Sequence, residues 1–198
     1  MTAESGVETE DSPYIAMVVE TAGQIGERFE QAIANGKISN ADLSDEQYRP
    51  VQGSNPQQFI TSFTAFTDHV LPDILEKTLE FSPKVAFCVT VDRKGYLPTH
   101  NRKYSKPQTK DPVWNQANCR NHRMFNTSRT ETTAMRNQYR FLLQTYRREM
   151  GGGNFVLMKD LSAPIWVDGQ HWGRCGSAIN AERVAGSQPT RHWCWRTR

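Results

Sequence analysis

The sequence predicts an α+β domain, in which an antiparallel sheet of about five strands packs against a long N-terminal helix and a second helix on one side. Three observations predict it. Apolar residues recur at steps of three and four over 13–34, which is the period of a helix. Residues 84–92 and 155–160 alternate as strands do, and Asp168-Gly169 is a strong hairpin signal. Helices on one side of such a sheet define the α+β class.

Size and charge exclude several classes of protein. The chain has 198 residues, 37% hydrophobic and 23% charged, which suits one domain with a core and an extra element. Its net charge of +3 is too small to indicate nucleic-acid binding. No apolar run approaches the roughly 18 residues of a membrane span. The acidic, polar start is unlike a signal peptide. We expect a cytoplasmic protein whose cysteines are reduced, namely Cys88, Cys119, Cys175 and Cys194.

The N-terminal helix is predicted over 13–34, after a disordered segment 1–12. Ser12-Pro13 provides a cap and a first-turn proline, and Asn35-Gly36 ends the helix. The apolar stripe packs on its own domain, or pairs with a second copy or a coiled coil upstream, and both can hold along its length. Its members are Ile15, Val18, Ala22, Ile25, Phe29 and Ile33.

A polar connector over 37–55 leads to a second helix that starts at Asn55-Pro56. Pro72 lies inside its pattern and should kink or split it, and Ser82-Pro83 ends it. The apolar face of this helix is Phe59, Phe63, Phe66, Val70 and Ile74.

The strands are predicted in the remainder of the chain. Lys84–Asp92 is the first, and a turn ending at Gly95 joins it to a partner strand, Tyr96–His100. A polar excursion follows, with a short helix within 113–125. The strands after it are Tyr139–Arg148, Phe155–Asp160, Ser162–Val167 with Pro164 marking an edge or bulge, and a return strand beginning at His171 and Trp172.

Several longer motifs resemble a known family. They are Gly95-Tyr96-Leu97-Pro98-Thr99-His100-Asn101, Leu142-Leu143-Gln144-Thr145-Tyr146-Arg147-Arg148 and Phe155-Val156-Leu157-Met158-Lys159-Asp160, with Ser162–Ile165 and Val167–Gly169. Together they resemble the Cache and PAS-like sensor module at the C-terminal end of certain cytoplasmic methyl-accepting chemotaxis proteins, over 15–172. The resemblance implies a sensor domain at 56–173, preceded by a helix and connector at 13–55. The glutamate- and glutamine-rich signalling hairpin of those receptors has no counterpart here.

The tail departs from the family pattern. Apolar and polar residues do not alternate over Gly173–Asn180. The genetic code permits a set of codons for this segment that, read in a frame shifted by two bases, encodes Ala-Val-Arg-Ile-Gly-Tyr-Lys. That shifted sequence does alternate as a strand. The hypothesis is a frameshift that makes 174–198 foreign to the fold and disordered. Backbone pairing needs no particular side chains, so 170–179 forms a weak last strand or stays irregular. We expect a short strand near His171–Gly173.

The family resemblance and the converging polar groups predict a small-molecule site between the sheet and the excursion at 101–137. Loops on a rigid sheet supply such groups. The arginines of the middle of the chain are surface charges, or one or two of them clamp a carboxylate or phosphate. The predicted ligand-binding residues are His100, Asn101, Tyr104, Arg123, Tyr146, Met158 and Lys159.

Other chemistry is weighed against this site. Cys119 and His122 are three residues apart and are metal or haem candidates, but a second ligand pair is missing from the sequence. No nucleophile accompanies His100 and Asp160, so no enzyme and no cofactor are expected. The expected partners are an unidentified small molecule, the helical signalling region of a chemoreceptor and a second copy of the chain. The alternatives are a dimerisation module without a ligand and a haem- or metal-dependent redox sensor.

Overall fold

The structure is a computed structural model that describes residues 8–149 and 155–180. The first seven residues of the predicted disordered N-terminus, the glycine-rich segment 150–154 and the tail from 181 lie outside the described residues. The helices are α1 Ser12–Ala34, α2 Asn40–Leu43, α3 Thr64–Val70, α4 Pro72–Leu79, α5 Pro112–Asn118 and α6 Arg129–Arg136. The strands are β1 Arg49–Pro50, β2 Phe59–Ile60, β3 Val85–Asp92, β4 Tyr96–Leu97, β5 Arg123–Met124, β6 Leu142–Glu149, β7 Phe155–Val167 and β8 Gln170–Asn180.

The predicted α+β class is confirmed. The main sheet is antiparallel and has four strands in the order β3-β8-β7-β6, while β1-β2 and β4-β5 form two small ribbons. The first and last strands of this sheet therefore lie side by side. Because β8 pairs with β3 and β7 at once, the end of the described chain lies inside the sheet rather than at its edge.

The last hairpin follows the sequence pattern closely. Asp168 and Gly169 have φ of 48° and 73°, the left-handed turn conformation that favours an aspartate-glycine pair. The two predicted runs before it are one strand, β7, with a bulge between Ile165 and Trp166. Pro164 pairs with β8 beyond the point where β6 begins, so its missing N–H costs no bond to β6.

The last strand is longer than the three residues expected. β8 continues through Asn180, so the predicted domain boundary after Gly173 falls inside a strand. Residues 172–179 are buried. Small residues suit this place, because a Cβ on Gly173 would overlap the backbone of Val91 and Asp92. Burial on both faces removes the need for alternation, which is why the pattern was misleading.

Helix α1 covers one face of the sheet. Its buried stripe includes Ile25 and Phe29, and the predicted helix over 13–34 is confirmed to within one residue. Phe29 meets the ring of Trp172 edge-on, with centroids 5.0 Å apart. The Trp172 indole N–H donates to the Leu43 carbonyl at 2.9 Å, which ties the connector to the core.

Two predicted elements differ from the structure. The second helix is split at Pro72, as expected, but it begins at Thr64, since Phe59 and Ile60 form β2. Tyr96–His100 was predicted to pair with the first strand. Instead Tyr96 and Leu97 pair with β5, and only a single bridge joins His100 to Val89. The excursion thereby folds back over the free face of the sheet.

Candidate functional site

A cavity of about 440 Å³ lies between the face of the sheet opposite α1 and the returning excursion. Its apolar wall comes from β3, β4 and the segment after β5: Phe87, Val89, Val91, Leu97 and Phe125. Its polar lining comes from the excursion, α6 and the other sheet strands: His100, Arg120, Ser128, Thr130, Glu131, Tyr146, Arg147, Asp160 and Arg174. The volume is in the range of small-ligand sites in proteins, roughly 300–1,000 Å³.

Strand register assembles the polar floor of this cavity. Arg174 of β8 is opposite Val91 on one side and Pro164 on the other. Two residues along β8, Gly176 is opposite Ser162. A Cβ at Gly176 would overlap Nη1 of Arg174 and lie 3.3 Å from its Cζ, so the guanidinium lies across the glycine. The missing side chain thus lets a long cation lie flat on the sheet beside Ser162 and Asp160.

Several atoms of this floor have no hydrogen-bond partner in the described part of the chain. They are Nε and Nη1 of Arg174 and Oδ2 of Asp160. Oγ of Ser162, which is buried but does not line the cavity, has no partner there either. Arg174 and Asp160 are only 6% and 7% exposed. Nη1 of Arg174 lies 3.8 Å from Oδ2 of Asp160, a charge contact longer than a hydrogen bond. Each buried polar group left unpaired costs about 1–3 kcal/mol, so a ligand that pairs with them recovers that cost.

Burial also changes the acidity of the floor. Desolvation raises the pKa of Asp160 above its usual value, and the Arg174 charge opposes part of that rise. A positively charged or hydrogen-bond-donating group placed against Asp160 would favour the ionised carboxylate. The site can therefore respond to a ligand through a change in protonation as well as through contacts.

Buried polar contacts fix the excursion over the sheet. The Cys88 N–H donates to Asn101 Oδ1 at 2.7 Å, and the Asn101 side-chain amide donates to the Leu75 carbonyl at 2.9 Å. His100 Nδ1 accepts from the Asn101 N–H at 2.8 Å, and its ring lies 4.7 Å from that of Tyr104. One end of the excursion is thus attached to both β3 and α4.

The structure places some of the predicted site residues at the cavity. His100 and Tyr146 line it, as expected from the convergence of loop and strand. Met158 is buried on the same sheet face but does not line the cavity. Tyr104 packs behind His100 and Phe87. Arg123 packs against the Phe125 ring, as does Arg120, and only Arg120 reaches the lining.

Two predicted ligand residues have other contacts. Lys159 lies away from the cavity, because the period of two in β7 turns it to the α1 face. There its ammonium donates to Asp11 at 2.7 Å and to Glu10 at 2.9 Å. Asn101 is fully buried, and its amide binds backbone groups of Cys88 and Leu75 rather than the cavity. Its role is to position the loop.

Sequence reasoning missed the floor itself. The sequence pattern assigns Arg174 to a disordered tail, and Asp160 is considered only as an acid–base partner of His100. Glycine two residues after an arginine in a strand was the available signal for Arg174, since it leaves room for the side chain. Helix α6 was missed too, although the capping box of Ser128 and Glu131 stands in the sequence and is formed.

Cys119 and His122, the candidate metal ligands, have different neighbours. Cys119 is buried, and its thiol lies 3.5 Å from the Pro107 carbonyl. Nε2 of His122 lies 2.7 Å from Asp68, whose other carboxylate oxygen accepts from Thr99. Within residues 8–149 and 155–180, no three His, Cys, Asp or Glu side chains are grouped as a metal site would need.

Comparison with known proteins gives little to add to this geometry. No family model matches the chain, and no curated protein matches it. Among solved structures, it is similar to an extracellular ligand-binding receptor from Desulfohalobium retbaense DSM5692, at 13% identity and a TM-score of 0.33. The match covers 83% of this chain and 24% of that protein, so the chain spans about a quarter of its length. Each helix in the described ranges is too short or too polar to cross a membrane.

Proposed function

We propose that this chain is the ligand-binding sensory domain of a cytoplasmic methyl-accepting chemotaxis protein. The supporting observation is the cavity of about 440 Å³ with buried, unpartnered polar atoms on its floor. An apolar wall with a few convergent polar groups is the usual make-up of a small-ligand site.

A route for the signal follows from β7. Asp160 faces the cavity, while its neighbour Lys159 faces the other side and binds Asp11, the residue before α1. A ligand that moves β7 would act on the start of α1 through this ion pair. It shifts the helix only if it prefers one of two arrangements of the strand. Helix α1 would then pass the change to the helical signalling region of the receptor.

A thermal-shift screen of the full chain tests the binding function. The probes are organic acids, amino acids, sugars and purines. A ligand at a hundred times its Kd stabilises by about 2.7 kcal/mol, which raises Tm by roughly 5–10 °C for a chain of this size. Val89→Phe fills the cavity and should abolish the shift. Val113→Phe makes the same change at a residue that is 79% exposed and should leave it intact.

Two results would contradict the proposal. One is a screen in which no compound stabilises the chain. The other is a stabilising compound that acts equally on Val89→Phe, because its site would then lie elsewhere. The alternative functions have their own signatures. A haem sensor shows a Soret band after reconstitution, and a dimerisation module sediments according to its concentration whether or not a ligand is added.

A further inference from the structure

We propose that Cys88 and Cys175 are a redox pair, which hydrogen peroxide converts into a reversible disulfide that joins β3 to β8. Both thiols are free in the structure, and neither side chain is accessible to solvent. They belong to the core that α1 and α4 cover, and neither lines the cavity on the other face of the sheet. This inference therefore does not depend on the proposed function.

Strand register brings the two cysteines together. In the antiparallel pairing of β3 with β8, Cys88 is opposite Ser177 and Cys175 is opposite Thr90, so the cysteines are diagonal neighbours on one face. Their Sγ atoms lie 3.7 Å apart, which shows that the two side chains point toward each other. A disulfide bond is about 2.05 Å long, so the sulfurs have to approach each other by about 1.7 Å. We expect rotation of the two side chains and a small shift of the strands to supply this approach.

The surroundings of the pair keep it reduced until an oxidant is present. The contact with Cys88 and burial raise the pKa of Cys175 well above its usual value, so Cys175 is a thiol at neutral pH. Thr90, opposite Cys175, is fully buried, and its hydroxyl has no hydrogen-bond partner among the described residues. A hydroxyl in this position can donate to a thiolate when one forms, which lowers the cost of the reactive state.

The chemistry needs one peroxide for each disulfide. One cysteine loses its proton, and its sulfur attacks the peroxide. The O–O bond breaks, which leaves a sulfenic acid and a hydroxide that takes up the proton as water. The second cysteine then loses its proton and attacks the sulfenic sulfur, and the S–O bond breaks to release the second water. The two thiols lose two electrons, and the peroxide gains them. Because the second sulfur is already in contact with the first, we expect the disulfide to close before a second peroxide arrives.

The bond would connect distant parts of the chain. Cys88 and Cys175 are 87 positions apart in the sequence, and a cross-link over so long a loop removes much conformational freedom from the unfolded chain. In the folded state the same bond joins two strands that are already paired. The oxidised chain should therefore melt roughly 4–16 °C above the reduced one.

Peptide mapping of the full chain tests the proposal. The folded chain is treated with hydrogen peroxide, then unfolded, blocked with N-ethylmaleimide and digested with trypsin. Cys88 lies in the tryptic peptide 85–93 and Cys175 in 175–183. We expect these two peptides to be joined as the main disulfide product and to separate after dithiothreitol. If both cysteines instead carry N-ethylmaleimide or are oxidised to sulfinic and sulfonic acids, the proposal is overturned. A Tm that does not rise on oxidation overturns the stabilising role of the bond.

The chain contains a matched control for the pair. Cys119 is also fully buried, but its thiol lies 3.5 Å from the Pro107 carbonyl rather than beside a second thiol. Cys119→Ser should keep the joined peptides and the rise in Tm, and so should Cys119→Ser combined with Cys194→Ser, which leaves only the pair. Cys175→Ser should lose both. A rise in Tm that persists in Cys175→Ser, or a main product that joins Cys119 to either cysteine, overturns the assignment. The mapping uses the parent chain, so it decides the matter even if Cys175→Ser does not fold.

Discussion

Gly26 lies where α1 crosses β7, and replacing it with alanine tests how tightly these two elements pack. Gly26 is buried, and a Cβ built there would overlap the Trp166 backbone carbonyl oxygen. That oxygen belongs to the bulged end of β7, whose register with β8 is set by the hairpin. Because the obstacle is backbone rather than the end of a flexible side chain, the helix itself has to move away from the sheet.

The expected size of the effect follows from two opposing contributions. Glycine to alanine inside a helix gains about 1 kcal/mol from propensity. Overpacking a tight contact costs about 1–3 kcal/mol, and an immovable carbonyl places this site in the upper part of that range. The free energy of unfolding of Gly26→Ala should therefore fall by about 1–2 kcal/mol, which lowers Tm by roughly 2–8 °C for a chain of this size.

The control lies one turn earlier in the same helix. Gly23 is exposed, and a Cβ there meets nothing within 4 Å. Gly23→Ala should gain the propensity alone, about 1 kcal/mol, so the two variants change Tm in opposite directions. The measurement is thermal and urea unfolding followed by circular dichroism. If Gly26→Ala is stabilised as much as Gly23→Ala, α1 does not pack on β7 as the structure shows.

Three further outcomes are expected. Phe29→Asp should lower the free energy of unfolding by more than about 3 kcal/mol, because Phe29 is fully buried. Gln31→Asp, on the exposed side of the same helix, should change Tm little. Equal Tm values for the two variants would refute the burial of Phe29. Since the pKa of Asp160 is raised in the folded state, the free energy of unfolding should fall as pH rises from about 4 through that pKa. Urea unfolding at several pH values should show a smaller fall for Asp160→Asn. If the parent and the variant lose the same free energy over this pH range, Asp160 is not the group responsible. Replacing 174–198 with Ala-Val-Arg-Ile-Gly-Tyr-Lys puts apolar residues on the α1 face of β8, so Tm should rise. An unchanged or lower Tm would refute the physical basis of the frameshift hypothesis.

Much of the fold could be predicted from local signals. The apolar stripe of α1 predicts both the length of the helix and its buried face, because apolar residues at the helical period all lie on one side of the helix. Pro72 separates α3 from α4 since its ring and missing N–H interrupt any helix. Asp168-Gly169 sets the final hairpin through its own backbone preference. Each of these effects depends only on residues close together in the sequence, so it can be predicted without knowing which elements pack against each other.

The candidate site depended on which strand pairs with which. Alternation shows that Asp160 and Lys159 face opposite ways, but not which of the two faces α1 covers. Arg174 enters the cavity only because β8 lies between β3 and β7, a pairing made by backbone hydrogen bonds that any side chains permit. The sequence by itself therefore determined helix α1, the break at Pro72, the last turn and the class of fold. The tertiary structure alone decided the register, and with it the arginine and aspartate on the floor of the cavity.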